Sequence, residues 1–97
     1  MNEAREEIRS ATRRDVYEAV DTERDYQDSR WNASTTTSRG IHSQTEWLAY
    51  IEDYLREAQH ILARTARQEA RERVNHIMRK IAAMAVSAME EHGAIKR

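Results

Sequence analysis

The chain has no proline and only two glycines, Gly40 and Gly93. These are the residue types that most strongly interrupt a helix. Outside those two positions, nothing in the backbone chemistry forces a break, so the chain is expected to be all-α. Its 39% hydrophobic and 34% charged residues suit amphipathic helices with a thin core and a wide charged surface. Ninety-seven residues make a single domain spanning residues 1–97. A domain this small buries little apolar surface. Assembly of the chain into a homo-oligomeric helical bundle is therefore expected.

Other classes are set aside on composition. There is no cysteine, hence no disulfide framework and no thiolate metal site. The start, Met1 to Glu7, lacks the basic and apolar runs of a secretory signal. No apolar run approaches the roughly 18 residues of a membrane span. A cytoplasmic protein with no membrane partner is the expectation. The net charge of −1 argues against general nucleic-acid binding. Charge is unevenly spread: residues 1–28 hold nine acids and five bases, residues 69–97 four acids and six bases. An acidic N-terminal helix near a basic C-terminal one would use that asymmetry.

Hydrophobic periodicity divides the chain into three helices. Val16, Val20, Glu23, Gln27 and Trp31 recur on one face of a first helix, read from about Asn2 to Arg30. Residues 1–12 are highly charged and read as a frayed arm. Residues 32–43 form a polar loop around Gly40. Ser43-Gln44-Thr45-Glu46 is a capping box that starts the second helix. Trp47, Ile51, Tyr54, Leu55, Ala58, Ile61 and Leu62 make its apolar stripe. Thr65-Ala66-Arg67-Gln68 reads as a second capping box, which divides the remaining chain into two helices. Val74, Met78, Ile81, Ala85, Val86, Ala88 and Met89 make the third stripe, and Gly93 is placed as its C-cap. The short connection implies a long antiparallel hairpin of the second and third helices, with the first helix beside it.

Three clusters can carry chemistry. Asp53 and Glu57, four residues apart, can bring two carboxylates together and hold Mg²⁺; the commoner meaning of such a pair is a solvated flank beside Arg56, His60 or Arg64. Glu23 and Gln27 share a face with Val16, Val20 and Trp31. A carboxylate there needs a partner, which can be an arginine, a metal or a ligand; otherwise the helix is rotated and Glu23 lies at the edge. His76, Arg79 and Lys80 lie on the polar side of the third helix and can hold phosphate oxygens, although a solvated basic face is the more ordinary explanation. Tyr50 and Trp31 are candidates to stack on a base. Histidines 42, 60, 76 and 92 include no His-x-x-x-His pair, and His92 reads as a helix-end contact. There is no P-loop and no nucleophile elbow.

Glu23-Arg24-Asp25-Tyr26-Gln27-Asp28-Ser29-Arg30-Trp31 resembles the E-R-x-x-Q-D-x-x-W opening of small phage-encoded MazG-like proteins. Residues 46–58 and 79–86 resemble the two helices that follow, so the likeness covers residues 16–93. It implies an all-α nucleoside triphosphate pyrophosphohydrolase fold in which Glu-x-x-Glu and Glu-x-x-Asp motifs hold Mg²⁺. Glu57 matches the second acid of the first motif. Tyr54 stands where the first should be, with Asp53 beside it. The second motif falls on Ile77 and Lys80, neither of which binds Mg²⁺; a shifted reading on Glu72 and Asn75 breaks the alignment. The expectation is a protein that binds a nucleotide-like small molecule without efficient turnover, using no cofactor. In a phage, such a protein acts in the host cytoplasm and can sequester a nucleotide signal of host immunity. Expected ligand-binding residues are Glu23, Gln27, Trp31, Tyr50, His76, Arg79 and Lys80. The alternatives are a Mg²⁺-dependent pyrophosphohydrolase that uses Asp53 and Glu57, and a helical interaction protein without a small ligand.

Overall fold

The computed structural model describes residues 10–30 and 41–97. Those residues form three helices and no strand: α1 (Arg13–Arg30), α2 (Gln44–Arg64) and α3 (Arg67–His92). Residues 1–9 and most of the expected loop, with Trp31, lie outside the described residues.

The first two helices start where a side chain supplies a cap. The Thr12 hydroxyl accepts from the Asp15 amide at 3.1 Å, and the Thr12 amide points back to the Asp15 carboxylate at 3.5 Å. The described helix begins at Arg13, with residues 10–12 outside it, and residues 2–9 of the expected helix lie outside the described residues. Ser43 and Glu46 form the expected box in full: Glu46 N–H donates to Ser43 Oγ at 3.1 Å, and Ser43 N–H donates to Glu46 Oε1 at 2.7 Å. That bond from the Ser43 backbone, the largest influence on the Glu46 carboxyl, lowers its pKa.

The break between α2 and α3 is present, but not by the expected second box. Thr65 closes α2 in an extended backbone, and its N–H still donates to Ile61 O at 3.0 Å. Ala66 becomes the N-cap of α3 and has no side-chain oxygen to offer. At the far end Gly93 takes φ 114°, a region that disfavours a Cβ, and its N–H donates to Met89 O at 2.7 Å.

α3 packs against both other helices. Between α2 and α3 the core is apolar: Ala58, Ile61, Ala70 and Ile77, with Tyr54, Val74 and Ile81 against them. Further along α3, Ala83 and Met84 are almost fully enclosed. Small residues at Ala58, Ala70 and Ala83 permit close backbone approach. The stripes read from the sequence are wider than the seam that α3 covers. Leu55 and Leu62 on α2, Met78 and Met89 on α3, and Val16 on α1 are exposed rather than core. The physical reason is geometric: one neighbouring helix covers only part of a helix circumference. On α3 that part centres on Ile77 and Met84.

Candidate functional site

Polar groups occupy the seam between α1 and α3. Val20, Glu23 and Gln27, spaced by three and four residues, turn one face of α1 inward. Glu23 is 7% exposed and Gln27 4%. Glu23 Oε1 accepts from Arg79 Nε at 2.8 Å. Arg79 Nη1 lies 2.9 Å from His76 Nδ1. A guanidinium can only donate, so Nδ1 is the acceptor and a neutral His76 carries its proton on Nε2. The result is one chain, Glu23–Arg79–His76, running from the buried face of α1 to the surface of α3.

One turn further along α1 the seam is incompletely satisfied. Gln27 Oε1 and Arg24 Nε are buried and have no hydrogen-bond partner among the described residues. Leaving a buried polar atom unpaired costs on the order of 1–3 kcal/mol. The rest of the Arg24 guanidinium is well held, with Nη1 on Asp28 at 2.9 Å and Nη2 on Glu90 at 2.6 Å. Burial works against the Arg24 charge, but those two carboxylates outweigh it and the pKa is raised. The expected attraction between an acidic α1 and a basic α3 is thus only half the picture: one ion pair runs each way.

Beside this polar chain lies an open groove of about 720 Å³ between the first half of α1 and the first half of α3. Val16, Ala19, Val20, Met78 and Ala82 give it apolar walls. Asp15, Glu72, Asn75, His76 and Arg79 supply its polar groups. Its volume falls within the range of small-molecule sites, roughly 300–1,000 Å³. Arg79 links the groove to buried Glu23. The Arg79 side chain is 30% exposed, and its Nη2 has no partner among the described residues, so one face of the guanidinium is open to a ligand.

A second polar cluster sits where the start of α2 meets the end of α3. Buried Trp47 donates from Nε1 to Glu91 Oε1 at 2.8 Å, and the same oxygen accepts from His42 N–H at 3.1 Å. The His42, Trp47 and Tyr50 rings meet edge to face, with centroids 5.2–5.9 Å apart. His92 Nε2 lies 2.8 Å from His42 O, the helix-end contact expected of it. The three rings touch edge to face and tie the helix ends together, and Tyr50 stays 42% exposed.

The structure therefore gathers some of the expected ligand-binding residues and disperses others. Glu23, Arg79 and His76 come together, with Gln27 one turn away. Tyr50 belongs to the Trp47 cluster. Lys80 is one turn from His76 along α3, but its ammonium turns toward α2 and sits 5.7 Å from the centre of the Tyr54 ring. One residue along a helix is about 100° around it, which carries Lys80 to a different side from Arg79. Asp53 and Glu57 stand exposed on α2. Among the described residues, no group of three or more His, Asp or Glu side chains is arranged to hold a metal ion.

Sequence reasoning did not find Glu91 as the partner of Trp47, nor Asp15, Glu72 and Asn75 as groove walls. A buried indole announces that it needs an acceptor, but a partner 44 residues away leaves no local signal. Compared with known proteins, the chain matches no family model, no curated protein and no solved structure.

Proposed function

We propose that this chain is a binding protein for a nucleotide-like small molecule, held in the α1–α3 groove and not efficiently turned over. The observation that carries the reading is the Glu23–Arg79–His76 chain. A buried ion pair is a poor way to stabilise a helix seam, since apolar side chains of similar volume are often as good or better. Here the pair leads from the seam to the wall of a ligand-sized groove.

The groove's charges narrow the ligand. Asp15 and Glu72 set two carboxylates against one cation, Arg79, which is already paired with Glu23, while His76 accepts from Arg79 as a neutral ring. A bare polyphosphate is disfavoured. A base with ring N–H donors suits the carboxylates and Asn75, while its faces suit Val16, Val20 and Met78. The open side of Arg79 can take one phosphate. This ligand is smaller in charge than one gripped jointly by His76, Arg79 and Lys80.

Lack of turnover is supported by the places where a MazG-like pattern would put acids. Ile77 is in the α2–α3 core, and Lys80 lies over Tyr54. The contacts of Trp47 with Glu91 and of Ile61 with Ala70 support an antiparallel hairpin of α2 and α3 beneath the site.

Calorimetric titration with a panel of nucleosides and nucleoside mono- and triphosphates, with and without EDTA, tests the reading. Binding of a low-charge nucleotide, unaffected by EDTA and lost in Arg79→Ala and in the groove-filling Ala19→Trp, is expected. Binding that survives both substitutions, or no binding at millimolar ligand, overturns it. EDTA-sensitive release of pyrophosphate would establish the hydrolase instead.

A further inference from the structure

Leu48, Leu55 and Leu62 are 65%, 46% and 60% exposed. They recur every seven residues along α2, so at about 100° per residue they fall within about 40° of one another. They lie about a quarter turn from Trp47, Tyr54 and Ile61, which face α3. Three leucines in register along one helix form a line that α3 does not cover. On α3, Met78 and Met89 are 55% and 47% exposed and share a line with Ala85. With α2 and α3 antiparallel, the right-handed sense of both helices brings these two lines to the same side.

We infer that this two-helix face is the contact surface for a second copy of the chain, with α2 crossing α2 of its partner antiparallel about a twofold axis at Leu55. A twofold contact must be self-complementary, and this face is. Leu48 of one copy meets Leu62 of the other, and Leu55 meets its own equivalent. The charges on the open flank fit the same axis. Glu52 and Arg56 sit on one side of the leucine line and pair within the chain at 3.1 Å. Both are exposed, so that pair contributes little by itself. Under the twofold, Glu52 of each copy comes opposite Arg56 of the other, and the two intrachain pairs become a four-charge network across the contact. The α3 methionines close the far side, giving a four-helix bundle. This inference does not rest on the nucleotide reading, although Met78 belongs both to this face and to the groove wall.

The full chain lacks cysteine, which allows a positive test. Leu55→Cys, at the axis, is oxidised under mild conditions beside Tyr17→Cys, an exposed α1 control. The wild-type chain should sediment at twice its 11.4 kDa mass at micromolar concentration. Leu55→Cys should cross-link to a covalent dimer, and Tyr17→Cys should not. Glu52→Arg and Arg56→Glu chains should each dissociate at least tenfold more readily alone, yet associate when mixed. Charges pair in that mixture only between chains, not within them. A wild-type monomer at these concentrations, equal cross-linking at both cysteines, or no gain on mixing overturns the inference.

Discussion

The two faces of α3 are built on opposite principles. Toward α2 it presents Ala70, Ile77 and Ile81, and among the described residues that seam carries no fully buried charge, the part-buried Glu91 holding Trp47 at its end. Toward α1 it presents Arg79 and Glu90, and the seam holds two ion pairs and, among the described residues, a buried amide oxygen and a buried guanidinium nitrogen without a partner. Both seams lie on one 26-residue helix, so the difference is not one of exposure or helix propensity. Burial of apolar area is favourable at about 25 cal/mol per Å², whereas desolvated polar groups at best break even. The α2–α3 seam accounts for the fold's stability. On the proposed reading, the α1–α3 seam supplies the surface that reads a ligand.

If that division is right, substitutions in the two seams should differ in kind. Ile77→Ala removes three buried carbons from the apolar seam and should destabilise by about 3 kcal/mol; thermal or urea denaturation reads this. Nucleotide affinity measured well below the melting temperature should hold. Arg79→Ala leaves Glu23 buried without its cation. Breaking a fully buried pair typically costs about 3–5 kcal/mol, and the partial exposure of Arg79 reduces this to about 2 kcal/mol. Here both stability and binding should fall. Equal losses of binding in the two variants would erase the distinction.

Ser43→Ala probes the cap that starts α2, one side of the apolar seam, and should cost about 1 kcal/mol, with no effect on binding. The smallest effect is on pH. The Glu46 carboxyl has its pKa lowered in the folded chain, first by the Ser43 backbone bond. A depressed carboxyl pKa gives stability that is present above the unfolded value of about 4.5 and lost as pH falls below it. Acid titration of the melting temperature should therefore fall less steeply in Glu46→Gln than in the wild type. Identical acid limbs would separate the cap from the titration.

The sequence made the apolar seam easier to read than the polar one. The Ser43 box, the Gly93 stop and the Trp47-to-Ile61 spacing are local, and the helices follow them. The break at Thr65 was legible as a place but not as a mechanism, because Thr65 is retained by α2 through its bond to Ile61. The stripes could not say which of their residues α3 would cover, so Leu55, Leu62, Met78 and Met89 read like core. Glu23 was visible as a misplaced acid, and an arginine was among the partners its position demanded. That Arg79 meets it while Lys80 does not depends on the rotation of α3 between two neighbours. That rotation is set by packing 56 residues away in sequence and leaves no trace in either segment.

The most direct measurement is a paired one on the double variant Glu23→Met, Arg79→Met. It replaces the buried charges with side chains of similar length and leaves the α2–α3 seam untouched. The melting temperature should stay the same or rise, since an apolar pair matches or exceeds a buried ion pair. Nucleotide binding by calorimetry should be lost. A lower melting temperature with nucleotide affinity intact would show that the polar seam serves the fold and not a ligand, and would contradict the account.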